Sequence, residues 1–310
     1  MTESGKLPFR PVDPADYDML YPYTSAFGEG SCQHSPVSMV SLADKYGDCV
    51  CIENGVLYTL RSRLCDDTYR VYLAPLGGGA AGAMFGRILE DAAACGKKVK
   101  FVTLTEKAAA SLKEAFPDRF DYLENRDLAE YMISWRTMAE FPGKLHARRR
   151  TEIRSFWRDY GDRAEVREMA PEDLDAVLAF AEYWFRVNSE THDEKALQLE
   201  MTGIRKQLVH FNQWRLSGTV LRVDGRIIGF CYGTKLSDTC YDVLIEKGVR
   251  DIPGVYRVLR QESTRLNVSP ASYINFEEDL GIPGLRKIKE SYDPAFLLAK
   301  YIVTERQTLH

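Results

Sequence analysis

The sequence predicts an α/β protein built from two related units, each with a mixed sheet that is covered by helices. Apolar strand patterns alternate with helix patterns along both halves of the chain. The dipeptides Asn54-Gly55 and Asp224-Gly225 stand between strand patterns and are typical of type I′ hairpin turns. The second half also repeats the pattern order of the first half, as expected of a duplicated unit.

The composition indicates a globular chain. Its 310 residues are 45% hydrophobic and 28% charged, which is enough for two domains with separate cores. The net charge of −4 argues against a general nucleic-acid coat protein but leaves room for a local basic surface. The sequence has no transmembrane run of about 18 uncharged apolar residues and no apolar signal core at its start. We therefore expect a soluble, cytoplasmic protein.

The cysteines predict no metal site. There are seven of them, and none forms a C-x-x-C pair. Cys49 and Cys51 share one face of a predicted strand, but no histidine or second cysteine pair is spaced to complete a tetrahedral site. We expect reduced thiols that fill the core.

The repeat begins with a strand end that leads into a helix with proline in its first turn. Arg10 and Pro14 correspond to Arg167 and Pro171, a shift of 157 positions. The two hairpin turns correspond at a shift of 170, and the patterns from residue 69 to 106 correspond at a constant 172. Chance matches would not keep one register over such a length. The sequence therefore predicts an N-terminal unit at 1–140, a basic linker helix at 141–160 and a C-terminal unit at 161–310.

The C-terminal unit carries the clearest pattern of elements. A helical region begins at Pro171 and is expected to break near Asn188-Ser189 and Ser217-Gly218. A buried strand follows at 241–245, and then a loop with Pro253-Gly254 opens a helix that runs from 255 to about 266. The remaining elements are a strand at 272–276, a basic helix with Arg286, Lys287 and Lys289, and a closing strand at 296–303.

This order of elements resembles the GNAT acyltransferase fold, which holds an acyl carrier's phosphates at the N-terminus of the helix after its fourth strand. The resemblance implies a tandem GNAT-like acyl-CoA N-acyltransferase fold with two duplicated units. The pyrophosphate loop of that fold corresponds to 250–255 in the second unit, with one extra residue and without the second glycine. In the first unit it corresponds to 76–82, whose glycines either bind phosphate through backbone N–H groups or form a turn with positive φ.

The predicted linker helix is rich in basic residues. Its candidates for binding phosphate or tRNA are Lys144, Arg148, Arg149 and Arg150. On a helix, the apolar residues 153, 156 and 157 form a stripe opposite the arginines at 150, 154 and 158. A solvated interdomain helix and a surface for an anionic partner, such as phosphate, a lipid headgroup or RNA, both fit this pattern.

Charged residues also gather where the last predicted strands end. Glu246 follows one strand, and Glu277 and Asp279 follow the next. Neighbouring parallel strands end at the same sheet edge, so these three are the candidate catalytic residues, and we expect one of them to transfer a proton. Like charges placed together there would raise one of their pKa values. The candidate substrate-binding residues are Lys247, Tyr256, Asn275, Arg286, Lys289 and Tyr292.

Each of these residues also has a structural interpretation. Glu246 and Lys247 could pair with neighbours across the sheet, and Arg286 could bridge to Asp279. Asn275 could hold a loop in place, and Tyr292 could belong to the core.

Three stretches resemble the phosphatidylglycerol lysyltransferase C-terminal domain family. They are the linker start Gly143-Lys144-Leu145-His146, the pair Glu246-Lys247 with Gly254-Val255-Tyr256, and the run 274–294, INFEEDLGIPGLRKIKESYDP. The last run is the most specific, and the resemblance extends over nearly the whole chain. It implies a soluble aminoacyl or acyl transferase that moves an aminoacyl group from aminoacyl-tRNA to a lipid or another acceptor.

Two other functions fit the same fold. One is an acyl-CoA-dependent N-acyltransferase, and the other is a non-catalytic binding module. We expect no resident cofactor, because aminoacyl-tRNA or acyl-CoA would serve as the group donor. The expected partners are tRNA and, through peripheral contact, anionic lipid.

Overall fold

The computed structural model describes residues 5–188 and 194–306, and the chain divides into two compact units. Unit 1 takes its residues from Met1–Glu130, Glu278–Arg286 and Leu297–His310, and unit 2 from Tyr131–Glu277 and Lys287–Phe296. These boundaries differ from the predicted ones at 140 and 161, because strand pairing assigns parts of the chain to a sheet far away in sequence. The predicted linker at 141–160 belongs to unit 2.

Unit 1 contains a mixed sheet whose strands follow the order β1-β2-β3-β4-β6-β15-β7, with β5 paired to β3. β4 and β6 are parallel, whereas β15 is antiparallel to both β6 and β7. The strands are β1 Arg10–Pro11, β2 Asp48–Glu53, β3 Val56–Arg61, β4 Tyr69–Tyr72, β5 Leu76–Gly77, β6 Lys98–Thr105, β7 Phe120–Glu124 and β15 Lys300–Glu305. The helices are α1 Tyr17–Phe27, α2 Pro36–Ser41, α3 Ala43–Tyr46, α4 Ala81–Ala94 and α5 Glu106–Ala115.

Unit 2 contains a second mixed sheet, in the order β14-β8-β13-β12-β11-β10-β9. β12 and β13 are parallel, and β8 is antiparallel to β13. The strands are β8 Glu130–Ser134, β9 Ala164–Glu168, β10 Leu216–Val223, β11 Arg226–Ser237, β12 Cys240–Gly248, β13 Tyr273–Asn275 and β14 Phe296–Leu298. The helices are α6 Trp135–Glu140, α7 Ala147–Tyr160, α8 Leu174–Asn188, α9 Glu194–Val209, α10 Val255–Asn267 and α11 Pro283–Glu290, through which the division between the units passes.

The two sheets have the same order of strands, which confirms the predicted duplication of a mixed α/β unit. In each sheet four antiparallel neighbours are followed by a parallel fifth strand, reached through α4 in one unit and α10 in the other. The position after the fifth strand is filled in unit 1 by β15 and in unit 2 by β8. Each sheet therefore takes this strand from the opposite half of the sequence.

Both predicted hairpin turns are present. Asn54 and Gly55 have φ values of 52° and 73°, and Asp224 and Gly225 have φ values of 50° and 75°. Positive φ at both central residues defines the type I′ turn. In the glycine-rich stretch at 76–82, however, no glycine has positive φ. Gly77 lies in β5 instead, where a Cβ atom would come within 2.9 Å of the Gly55 carbonyl oxygen.

The helix and strand predictions for the second half are mostly confirmed. Helix α8 is described as far as Asn188, so the first predicted break stays a prediction, whereas the second is wrong because Ser217 and Gly218 lie within β10. Ser189 lies outside the described residues. The predicted closing strand is divided into β14 and β15, which belong to different sheets.

Each unit has its own apolar core. In unit 1, Phe85 from α4 meets Phe101 from β6 edge to face, with ring centroids 5.4 Å apart. In unit 2, Ile153 and Phe156 of α7 are buried in the core, as the predicted apolar stripe requires. Within the described residues, no helix combines the length and apolar character that crossing a bilayer requires.

The contact between β11 and β12 predicts a strong effect of Gly233→Ala. A Cβ atom at Gly233 would lie 1.9 Å from the carbonyl oxygen of Asp242, so the two strands would have to separate. We expect a loss of about 3 kcal/mol in the free energy of unfolding, measured by urea denaturation. The matched control is Gly203→Ala on α9. Among the described residues, no atom beyond the helix backbone and the adjacent residues lies within 4 Å of the added Cβ, and a gain of up to about 1 kcal/mol is expected. Equal effects of the two changes would contradict this account.

Candidate functional site

A cavity of about 370 Å³ lies in unit 2 at the N-terminus of α10. Strand β12 ends at Gly248, and the loop that follows leads to Gly254, whose φ of 91° precedes the first turn of the helix. This loop is the counterpart of the pyrophosphate loop that the sequence predicts at 250–255. The lining residues are Glu152, Val249, Arg250, Ile252, Pro253, Gly254, Val255, Tyr256, Arg257, Arg260 and Ile288.

The cavity is suited to an anion. Three arginines line it, namely Arg250, Arg257 and Arg260, against one lining carboxylate, Glu152. The first N–H groups of α10 add the positive end of the helix dipole. A Cβ atom at position 254 would lie 2.8 Å from the backbone oxygen of Glu152, so this turn packs tightly against α7.

A half-buried network of charged residues supports the wall of the cavity. The Nε atom of Arg260 donates to both carboxylate oxygens of Glu246, at 2.9 and 2.8 Å. The Tyr292 hydroxyl accepts hydrogen bonds from Arg257, at 2.5 Å, and from Arg260. Burial disfavours the charged guanidinium, but the Glu246 carboxylate and the Tyr292 hydroxyl outweigh it, and the pKa of Arg260 is raised. Glu246 could act as a base only after this pair had opened.

Helix α7 contributes one wall of the cavity through Glu152. Its Oε1 atom accepts from Arg148 Nε at 2.9 Å, and its Oε2 atom accepts from Arg257 Nε at 3.2 Å. The Arg148 side chain is otherwise open to solvent, and Lys144 is also exposed. Lys144 and Arg148, two of the four predicted phosphate-binding residues, are therefore accessible to a ligand.

The other two predicted phosphate-binding residues serve the local structure. Arg149 donates to the Ser291 hydroxyl at 2.6 Å, and its guanidinium carbon lies 4.3 Å from the centre of the Tyr292 ring. Arg150 donates to the carbonyl oxygen of Gly143 at 2.7 Å and to that of the residue at 141. These contacts secure the start of α7.

Two of the predicted substrate-binding residues lie at the end of β12. Lys247 is buried, donates to both carboxylate oxygens of Glu200 at 2.8 and 2.9 Å, and lies 4.1 Å from the Trp184 ring centre. The Tyr256 hydroxyl donates to the Gly248 carbonyl at 2.9 Å. Tyr256 lines the cavity, whereas Lys247 is held by Glu200.

Three further predicted residues surround the end of β13. Asn275 is fully buried, and its Oδ1 atom accepts from the backbone N–H of Glu277 at 2.7 Å. This bond accompanies the positive φ of Glu277, 55°. Lys289 is also buried and donates to the Phe276 carbonyl. The contacts of Asn275 and Lys289 therefore fix the path of the chain after the strand.

In unit 1, Asp279 is fully buried and paired with arginines. It accepts two hydrogen bonds from Arg286, both at 2.8 Å, and one from Arg126 at 3.2 Å. Arg286 also donates to Asp127 at 2.6 Å, and hydrogen bonds to the two carboxylates raise its pKa. The sequence left open whether Arg286 bridges to Asp279 or binds substrate. In the structure the two side chains form an ion pair.

The predicted site residues thus fall into separate groups. Tyr256 lines the cavity of unit 2, and Glu246 and Tyr292 contact its wall through Arg260. Asp279 belongs to unit 1, with an arginine cluster of its own. The catalytic roles of Glu246, Glu277 and Asp279 stay predictions.

A buried polar cluster in unit 1 escaped the sequence analysis. Glu130 and Lys300 are both fully buried, and Lys300 Nζ lies 2.6 Å from Glu130 Oε1. The Ser31 hydroxyl donates to Glu130 at 2.8 Å and accepts from Lys300 at 2.5 Å. The Cys32 N–H donates to the second oxygen of Glu130 at 3.0 Å. This carboxylate is therefore bonded through both of its oxygens.

Glu278 lies at the edge of this cluster. The Gln33 side-chain amide donates to Glu278, and its oxygen accepts from Arg61 at 2.9 Å, which sets the orientation of the amide. Burial and the nearby Glu130 carboxylate raise the pKa of Glu278. The acidic run 277–279 was the one sequence signal for this residue, because its like-charge partner Glu130 lies far away in the chain.

The same cluster contains donor atoms that could approach a metal ion. The Cys32 sulfur and one carboxylate oxygen each from Glu130 and Glu278 lie within 4.8 Å of one another. The Lys300 ammonium already neutralises Glu130, however, and a cation at this place would be repelled by it. We therefore assign no metal to this set.

Comparison with known protein families identifies the family of this chain. A family model described as "Phosphatidylglycerol lysyltransferase, C-terminal" matches residues 26–304. The chain belongs to this family. The match extends through the run 274–294, on which the predicted resemblance to the phosphatidylglycerol lysyltransferase C-terminal family mainly depended, and confirms that resemblance.

Solved structures with the same fold include two close in size to this chain. A conserved protein of unknown function from Bacteroides thetaiotaomicron has a TM-score of 0.89 and 27% identity, and the match covers 97% of this chain and 100% of that one. The structure of L-PGS from Bacillus licheniformis has a TM-score of 0.65 and 14% identity, with 99% and 95% covered. The predicted tandem GNAT-like fold is confirmed by these neighbours and by the strand order of the two sheets.

A curated relative covers part of the chain. An uncharacterised protein of Mycoplasmoides gallisepticum is 25% identical over 175 residues, which are 56% of this chain. The matched part is 55% of that protein, so the chain spans about half the length of the curated relative.

The buried pair in unit 1 predicts a large effect of Glu130→Gln. The change leaves the Lys300 ammonium buried without its counter-charge, and we expect a loss of about 3 to 5 kcal/mol in the free energy of unfolding. Urea denaturation would measure it. The matched control is Glu140→Gln, because Glu140 forms an exposed pair with Arg136 and should cost less than about 1 kcal/mol. A loss at Glu130 no larger than that of the control would contradict the assignment.

His34 predicts a dependence of stability on pH. Burial, Lys300 and Arg61 lower the pKa of His34 from 6.5 to about 3. Between those values the unfolded chain binds more protons than the folded chain, so the free energy of unfolding falls as the pH is lowered from 6.5. We expect the contribution to reach about 2 kcal/mol between pH 6.5 and 5. His34→Asn should remove this part of the slope in urea denaturation at pH 7, 6 and 5, whereas parallel profiles would refute it.

Proposed function

We propose that the protein is a transferase that moves an aminoacyl group from aminoacyl-tRNA to an acceptor hydroxyl or amine. The observation that carries the proposal is the cavity of unit 2, where three arginines meet the N-terminus of α10. Membership of the phosphatidylglycerol lysyltransferase C-terminal family supports a transferase role. The proposal includes a cytoplasmic location, where charged tRNA is available.

The cations would bind the phosphates of the carrier. Arg250 is exposed at the mouth of the cavity, and Arg257 reaches it from the first turn of α10. Lys144 and Arg148 are exposed cations of the same unit and would extend the contact along an RNA backbone. Contacts with successive phosphates release counterions, so this binding should weaken with added salt.

The reaction needs one proton to move. The acceptor oxygen or nitrogen attacks the ester carbonyl carbon, the ester bond to the carrier breaks, and the proton from the acceptor passes to the departing oxygen of the carrier. Glu246, which contacts the cavity wall through Arg260, is the proposed group for the transfer of this proton once that pair has opened. The arginines would stabilise the negative charge that develops.

A lipid acceptor agrees with one surface feature of the cavity. Ile288 lines the cavity and is 50% exposed, and the neighbouring Lys287 is also exposed. An exposed apolar side chain next to a cation suits peripheral contact with an anionic lipid surface. The proposed acceptor is therefore a headgroup presented by such a surface.

An acyl-CoA-dependent N-acyltransferase is the second candidate. The helix N-terminus at Val255 could also hold a pyrophosphate. The loop lacks the second glycine of the usual motif, however, and Gly254 is packed against the backbone of α7. A CoA thioester that raises the melting temperature, together with an absence of tRNA binding, would favour this candidate. No response to either ligand would favour a non-catalytic module.

Arg250→Gln and Arg257→Gln test the proposal. Each should weaken the binding of aminoacyl-tRNA about fivefold at low salt and reduce the slope of log K against log salt by about 0.7 to 0.9. Filter binding at several salt concentrations would measure both. The matched control is Arg136→Gln, which removes an exposed arginine that pairs with Glu140 and does not line the cavity. If all three variants bind like the wild type, the cavity does not hold the carrier.

A further inference from the structure

The carboxylate of Glu152 occupies the place where an anionic ligand would meet the cavity's arginines. Its two oxygens each accept a guanidinium hydrogen bond, from Arg148 at 2.9 Å and from Arg257 at 3.2 Å. Glu152 lines the cavity together with Arg257. A phosphate that enters must therefore share Arg257 with Glu152 or displace it.

This pair differs from the other ion pair at the cavity. The side chains of Arg260 and Glu246 are 15% and 13% exposed, and several hydrogen bonds join them. Those of Arg257 and Glu152 are 29% and 28% exposed, and one bond of 3.2 Å joins them. A pair more open to solvent is weaker and exchanges its partner at lower cost. The Arg257–Glu152 contact is therefore the one that a ligand could replace.

The backbone of α7 keeps Glu152 at this position. A Cβ atom at Gly254 would come within 2.8 Å of the Glu152 carbonyl oxygen and 3.1 Å of the Phe156 Cβ atom. This close approach leaves the helix little freedom to withdraw from the start of α10. Any displacement by a ligand would then involve the Glu152 side chain and leave its backbone in place.

We propose that Glu152 is a specificity-determining residue that holds Arg257 until a ligand with more negative charge takes its place. The inference rests on the proposed function, because it concerns the same anion site. A single carboxylate offers Arg257 nothing that Glu152 does not already supply. Adjacent phosphate groups, as in a pyrophosphate or a run of phosphodiesters, bring more charge and also engage Arg250. The site therefore selects ligands with at least two neighbouring phosphates.

The test is the binding of inorganic pyrophosphate to Glu152→Gln at low ionic strength, measured by isothermal titration calorimetry. Two unit charges about 5 Å apart in water change a binding constant about fourfold, so the variant should bind at least about fourfold more tightly than the wild type. Acetate should not bind the wild type measurably, because Glu152 already occupies Arg257, and it should bind weakly to the variant, where the guanidinium is open to a carboxylate. Glu152→Asp keeps the charge and should bind like the wild type.

The matched control is Glu140→Gln. Glu140 accepts from Arg136 at 3.1 Å in an i,i+4 pair, as Glu152 does from Arg148, but it does not line the cavity. The control removes the same net charge and should leave pyrophosphate binding unchanged. Glu152→Ser removes the charge with a smaller side chain, and it replaces Glu152→Gln if that variant does not fold by circular dichroism.

The outcomes separate this inference from the proposed function. If the wild type binds pyrophosphate and Arg257→Gln weakens that binding, the anion site stands. Equal affinities of the Glu152→Gln and Glu140→Gln variants would then overturn the inference alone. Weaker binding by Glu152→Gln would also overturn it, since Glu152 would then be needed to position Arg257. If neither the wild type nor Glu152→Gln binds, the inference and the anion site both fail.

Discussion

The candidate site of unit 2 depends on the half-buried ion pair between Glu246 and Arg260. Glu246 stands near the end of β12, and Arg260 stands in the second turn of α10. Their bidentate contact fixes the helix to the strand that precedes it, and the Tyr292 hydroxyl accepts from the same arginine. A guanidinium at this depth must keep its counter-charge, since an unpaired buried charge is very costly. Arg260 therefore keeps its position before any ligand arrives.

The acidic residues of unit 2 differ in how firmly cationic side chains hold them. Glu246 is enclosed by its arginine, and the buried Lys247 holds Glu200, so these carboxylates stabilise the fold around the cavity. Glu152 is more exposed than Glu246 and shares its oxygens between two arginines. Solvent screens such a pair and makes its exchange inexpensive. The same residue type thus serves as a fixed support in one place and as a replaceable partner in another.

Unit 1 contains a buried cluster of charged residues. Glu130, Lys300 and Ser31 are bonded to one another beneath the surface, and Glu278 stands at the edge of the group with a raised pKa. Perturbed carboxylates in such surroundings are common at functional sites, and structural ion networks also produce them. Glu278 lies within the run 274–294, yet its surroundings come from strands and turns distant in the sequence. Unit 1 therefore retains a specific polar centre besides its apolar core.

The sequence by itself determined the local elements and the family. Asn54-Gly55 specifies its hairpin because only a few residues tolerate positive φ, and the spacing of Ile153 and Phe156 places both on the buried side of α7. The tertiary structure alone decided that β8 and β15 enter sheets away from their own halves, and that Glu246 meets Arg260. Local patterns reflect backbone preference and periodicity, whereas these partners depend on sheet order, which brings together residues far apart in the chain. That is why the arginine cavity became visible only in the folded structure.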